Sequence, residues 1–176
     1  MNRPSDKVVT IFGSNDPQPG QVAYDVARQV GQVVASLGYA VANGGYGGTM
    51  EASAAGAKRA GGRTIGVVCS IWRSQPNRFI DEVVQTTAMH ERLTRLVELG
   101  TAGYVVLPGA TGTLAELAWV WELMCKKQLP RRPIICAGRF WQPLIDMMAA
   151  ARPGSEEFVR LVETPDHLPR HLQIAD

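Results

Sequence analysis

Tyr104-Val105-Val106-Leu107, then Pro108-Gly109-Ala110-Thr111-Gly112-Thr113, then Leu114-Ala115-Glu116 is the stretch that decides the fold. A short, β-branched apolar run reads as a buried strand. The glycine-rich turn after it opens a helix that runs to about Lys126-Lys127. The same strand, turn and helix occur earlier. Val8 to Phe12 reads as a strand before the polar turn Gly13-Ser14-Asn15-Asp16-Pro17. Val22, Val26, Val30, Val33 and Leu37 then mark a helix face, and Gly38 suits its C-terminal cap. Tyr39 to Ala42 is a second strand, followed by Asn43-Gly44-Gly45-Tyr46-Gly47-Gly48 and an Ala-rich helix from Thr49 to about Ala60.

Further strands are predicted at Thr64 to Cys69, Ile80 to Gln85, Pro133 to Cys136 and Val159 to Val162. Further helices are predicted at Ala88 to Leu99 and Trp141 to Ala150. This alternation argues a single α/β domain over residues 1–176, an open parallel sheet of Rossmann-like type with helices on both faces. The segment 164–176 is expected to be peripheral. In such sheets ligands bind at the carboxyl ends of the strands, which singles out the turns after Phe12, Ala42 and Leu107.

With 176 residues, 45% hydrophobic and 19% charged, the chain has the composition of a globular domain with a modest solvated surface. A net charge of +2 provides no sustained attraction for nucleic acid or for an anionic membrane. No apolar run approaches the roughly 20 residues of a membrane span. The first residues lack the apolar segment of a signal peptide. Cys69, Cys125 and Cys136, an odd number without C-x-x-C spacing, suit buried thiols in a reducing compartment, so a cytoplasmic location is expected. The histidines, His90, His167 and His171, show no metal-ligand spacing, and no metal is expected.

A glycine turn from strand to helix aims free N–H groups and the positive helix end at one point, which suits a phosphate; the bland alternative is a tight turn. Neither glycine turn matches the dinucleotide fingerprint or a P-loop. Glu116 has two readings. Thr113-Leu114-Ala115-Glu116 fits a capping box, and a glutamate so placed also lies beside any ligand in the turn. Arg92 falls within the apolar arc of Met89, Leu93, Leu96, Val97 and Leu99. A cation there is either a structural ion pair or an arginine held for a carboxylate or phosphate, and Glu116 is a candidate partner. The helix from Leu114 to Cys125 is apolar on two faces, which predicts a homodimer.

Gly44-Gly45-Tyr46-Gly47-Gly48-Thr49-Met50-Glu51-Ala52, Met89-His90-Glu91-Arg92 and Pro108 to Glu116 together resemble the Lonely Guy family. These are cytokinin-activating nucleoside 5′-monophosphate phosphoribohydrolases, many of them mislabelled lysine decarboxylases. The likeness covers roughly Val8 to Arg139. The family pattern P-G-G-x-G-T-x-x-E is met except at Ala110, and M-H-x-R-K except at Leu93. The resemblance implies cleavage of a nucleoside monophosphate to free base and ribose 5-phosphate, with no cofactor. It makes Arg92 and Glu116 the catalytic pair and Gly109, Ala110, Thr111, Gly112 and Thr113 the phosphate loop. Gly45, Gly47, Gly48 and Thr49 become further substrate contacts. Ser14, after the first strand, is a further candidate contact, with a plain turn serine as the alternative. Met89 is a candidate too, although Met89 and Trp72 are more often core or lid packing than base-stacking groups. AMP or a prenylated adenine nucleotide is the expected substrate. The decarboxylase label fails because Lys7, Lys58, Lys126 and Lys127 all lie outside the predicted site loops, leaving no lysine for a Schiff base. The alternative is a non-catalytic phosphate-ligand binder such as a molybdenum-cofactor carrier, a related branch of the same superfold.

Overall fold

The computed structural model describes residues 7–172. Seven strands form one sheet: β1 (Val8–Phe12), β2 (Ala40–Asn43), β3 (Thr64–Cys69), β4 (Glu82–Thr86), β5 (Gly103–Val106), β6 (Ile134–Ala137) and β7 (Val159–Val162). Their order across the sheet is β4-β3-β2-β1-β5-β6-β7, and every neighbouring pair is parallel. The chain winds outward from β1 in one direction, then returns to place β5 on the other side of β1. The order therefore reverses between β1 and β5, and a crevice opens at the carboxyl ends of those two strands.

Helices α1 (Val22–Ser36) and α2 (Gly48–Arg59) cover one face, and α3 (Met89–Leu99), α4 (Thr111–Cys125) and α5 (Gln142–Ala151) the other. The strand period of two divides the core accordingly. Val9, Ile11, Val105 and Leu107 pack beneath α1 and α2, whereas Phe12, Tyr104 and Val106 pack beneath α3 and α4. Because both faces are covered, the central strands β1, β2 and β5 are buried throughout, as continuous apolar runs require. Thr10 and Asn43 are the polar exceptions: the Thr10 hydroxyl donates to the Leu96 carbonyl and Asn43 Nδ2 to the Met50 carbonyl, each at 2.9 Å.

Of the segment 164–176 expected to be peripheral, the described part, 164–172, packs on the core, and 173–176 lie outside the described residues. A short helix α6 (Pro169–Leu172) follows a single turn at Pro165–His167. Leu168 and Leu172 are buried against the α1 core, and the Tyr39 hydroxyl donates to the Leu172 carbonyl at 3.0 Å. No helix among the described residues is long and apolar enough to cross a membrane.

Candidate active site

A cavity of about 470 Å³ lies over the carboxyl ends of β1, β2, β3 and β5. α4 approaches it end-on, and α3 supplies Arg92 from its first turns. Arg92 is buried, 8% exposed as a residue, and its guanidinium is held from several sides. Its Nε donates to the Val67 carbonyl at 2.8 Å and its Nη2 to the Gly44 carbonyl at 3.2 Å. Tyr46 and Trp72 stack on it, with ring centroids 5.8 and 5.4 Å from Cζ. The two rings meet edge to face at 5.7 Å. Tyr46 is in turn fixed by its phenol, which donates to the Cys69 carbonyl and accepts from the Cys69 amide.

The remaining nitrogen, Nη1, stands 3.6 Å from Glu116 Oε1. That is an ion pair without hydrogen-bond contact, so both groups retain capacity for a ligand. Burial pushes the Glu116 carboxyl up to about 7, against the pull of Arg92 in the other direction. Such a group exchanges its proton near neutrality, which suits work on a developing charge or an attacking water.

α4 begins at Thr111, with Ala110 as its N-cap at φ −94°, ψ −155° and no side-chain cap. This corrects the capping-box expectation. Thr111 and Gly112 are already helical, so Thr113 is the third residue of the helix and Glu116 the sixth. The carboxylate is consequently free of capping duty and faces Arg92. The N–H groups of Thr111, Gly112 and Thr113 have no intrahelical acceptor, and no acidic side chain occupies the first turn. Together with the positive helix end they form a ready site for an anion. Ala110, Gly112 and Thr113 line the cavity, whereas Gly109 and Thr111 do not.

The second glycine turn behaves differently. Gly45 N–H donates to Asn43 Oδ1 at 2.8 Å and Gly47 N–H to Asn15 Oδ1 at 3.0 Å. Thr49 donates to the Ser14 carbonyl through both its amide, at 2.8 Å, and its hydroxyl, at 3.0 Å. Gly48 takes φ +63°, and a Cβ there would run into the backbone of Ser14 and Asn15. The loops after β1 and β2 are thus interlocked, with the Gly47 and Thr49 amides of the second donating to oxygens of the first. Gly45, Gly47, Gly48 and Thr49 accordingly do not line the cavity; Gly44 and Tyr46 of the same run do. Ser14 also lines it, with its hydroxyl donating to Asp16 Oδ2 at 2.8 Å. So does Met89, which is 49% exposed at the rim.

Asn15, Asp16 and Tyr46, in turns the sequence singles out but not named there as contacts, line the cavity, as do Trp72 and Ser74 from the loop after β3. Tyr46 carried a signal, being the one side chain inside a run of glycines. Among the described residues, no cluster of three His, Cys, Asp or Glu side chains could hold a metal ion.

The model of the SLOG cluster4 family matches residues 6–146. A cytokinin riboside 5′-monophosphate phosphoribohydrolase of Mycobacterium tuberculosis is 31% identical over 119 residues, 66% of this chain and 63% of that protein. A protein of the same name from Mycobacterium marinum is 34% identical over 100 residues, 55% of this chain and 53% of that one. The chain therefore spans less than two thirds of the length of these curated relatives. Among solved structures, the molybdenum cofactor binding protein of Rippkaea orientalis superposes with a TM-score of 0.73 at 24% identity, covering 93% of each chain. At that identity the likeness is one of fold. With its family model spanning most of the chain and its three motifs converging on one cavity, the protein belongs to the SLOG cluster4 family, of Lonely Guy type.

Proposed function

We propose that this protein hydrolyses the N-glycosidic bond of a nucleoside 5′-monophosphate, AMP or a cytokinin riboside monophosphate, to free base and ribose 5-phosphate. The observation that carries this reading is the buried Arg92–Glu116 pair, 3.6 Å apart, beside the first N–H groups of α4, which have no intrahelical acceptor. Those N–H groups, at Gly112 and Thr113 above all, hold the 5′-phosphate. Binding energy from that remote group positions the sugar. As the C1′–N bond breaks, positive charge grows on the ribose. The Glu116 carboxylate stabilises it and takes a proton from the water that attacks C1′. The base leaves with the bonding electron pair and receives on nitrogen the proton that Glu116 took from the water, which returns Glu116 to the carboxylate. Arg92, clamped by two carbonyls and two aromatic rings, orients Glu116 and offers its free N–H groups to the ribose or phosphate. The names of the mycobacterial relatives support the same reaction class.

Chromatography of AMP and isopentenyladenosine monophosphate after incubation with the protein tests this. Release of base and ribose 5-phosphate by the wild type, lost in Glu116→Gln, is the expected result. Phosphate-ligand binding without release of base would instead assign the cavity to a carrier.

The exposed side of α4 supports a homodimer as the working form. Leu114 and Trp119 lie exposed on it, and Leu114 lines an apolar groove with Ala118, Cys125, Leu144 and Met148. The three cysteines are free thiols, two of them buried, in keeping with a reducing, cytoplasmic setting.

A further inference from the structure

The cavity has two chemically different ends. Over β5 stand Ala110, Gly112 and Thr113, with the free amides of α4. Over β3 and β4 stand Trp72, Ser74 and Met89, with Tyr46 and Met50 beside them from the β2 side. At about 4.8 Å per strand, the three steps from β5 through β1 and β2 to β3 span roughly 14 Å. That is the scale of an extended nucleoside monophosphate from phosphorus to the far edge of its base. Phosphate on α4 therefore sets the sugar at the Arg92–Glu116 pair and the base at Trp72.

The chemistry of that far end is unusual for a pocket that reads a base. Trp72 is 38% exposed although it touches Arg92 and Tyr46, and Met89 is more exposed still. Both are large apolar groups left at a cavity rim, a placement that costs solvation unless a ligand covers it. Polar groups that might read a base edge are almost absent. The Tyr46 phenol is committed to the Cys69 backbone, and two arms of Arg92 are committed to carbonyls. Ser74 offers a hydroxyl at this end; Ser14, Asn15 and Asp16 line the cavity on the β1 side, where the Ser14 hydroxyl donates to Asp16 and Asn15 Oδ1 accepts from Gly47 N–H.

Building on the phosphoribohydrolase reading, we infer that Trp72 and Met89 form a base subsite that grips a planar bicyclic ring by its faces and leaves its edge unread. The ligand class is purine nucleoside 5′-monophosphates as a group, with affinity set by stacking area and not by the exocyclic substituent pattern.

Calorimetric binding to the non-hydrolysing Glu116→Gln variant tests this without turnover, using AMP, IMP, CMP and ribose 5-phosphate. AMP and IMP are expected to bind with similar affinity, each about tenfold more tightly than ribose 5-phosphate, the scale of one aromatic stack on a base. CMP falls between. Adding Trp72→Ala removes the purine advantage while leaving ribose 5-phosphate affinity in place, and Trp72→Phe restores most of it. Equal weakening of AMP and ribose 5-phosphate by Trp72→Ala would overturn the inference, because Trp72 would then act only through Arg92. A preference of AMP over IMP of about 100-fold would overturn it too, as the mark of hydrogen-bonded edge readout. Absence of purine nucleotide binding at millimolar concentration would remove the subsite outright. Binding that follows the expected pattern beside a wild type that releases no base would sink the hydrolase and leave the subsite standing.

Discussion

Arg92 and Glu116 meet at 3.6 Å although they come from helices that start at the ends of different strands, α3 after β4 and α4 after β5. The pair is asymmetric. Arg92 is held by two backbone carbonyls and two aromatic faces, whereas the Glu116 carboxyl has Arg92 as its one charged neighbour of consequence.

That asymmetry gives a pH dependence with a definite sign. The Glu116 carboxyl is raised from 4.5 to about 7, so the folded protein keeps this proton to higher pH than the unfolded chain does. Stability from this group is full below the unfolded value and is lost as pH rises through about 7. The catalytic form is the carboxylate, so kcat/KM is expected to climb across the same interval. A pH–rate profile of wild type should show this inflection. Glu116→Gln should lack it, with kcat lower by about 10²–10³, and should flatten the matching part of the Tm profile.

Two glycines of the site separate packing from binding. A Cβ on Gly44 would strike Arg92 Nη2 and come within 2.5 Å of Met50 Sδ, so Gly44→Ala must displace the guanidinium. A loss of about 10²-fold in kcat/KM is expected from such misplacement. Gly112 has no atom within 4 Å of a Cβ. Gly112→Ala should therefore raise Tm, by helix propensity of up to about 1 kcal/mol, yet raise KM by crowding the anion site. Thermal melts beside steady-state kinetics read both effects.

Ala110 departs from the family pattern without strain. Its φ of −94° and extended ψ are open to any L-residue, so glycine is not needed there. Ala110→Gly should change kcat/KM by less than about threefold. A large gain in activity would mean that the methyl group, and not the backbone, limits the wild-type loop.

The outward side of α4 should hold two copies together. Sedimentation at micromolar concentration is expected to give the mass of a dimer. Trp119→Glu, at a side chain 42% exposed in the single chain, should give the monomer with its Tm little changed. A monomeric wild type would refute the homodimer.

Periodicity along the chain determined the architecture, because each strand and helix here is a local pattern that agrees with its neighbours. The β-branched runs, the glycine turns and the α3 arc containing Arg92 are all legible at separations of a few residues, and Gly38 indeed ends α1 with φ +88°. The motifs also brought Arg92 and Glu116 into one hypothesis. Tertiary structure alone decided which groups were spoken for. The acceptor for Gly47 N–H is Asn15, and the clamp on Arg92 comes from Val67 and Gly44, contacts that span 25 to 48 residues of chain. Those long-range bonds brace the second glycine loop, of which Gly44 and Tyr46 line the cavity. The start of α4, two residues before the apparent cap, freed Glu116 for Arg92. Leu168 and Leu172 were drawn into the α1 core from a segment whose local pattern is too short to show it. Local pattern chooses the elements, but hydrogen-bond satisfaction and burial are settled only when distant segments meet.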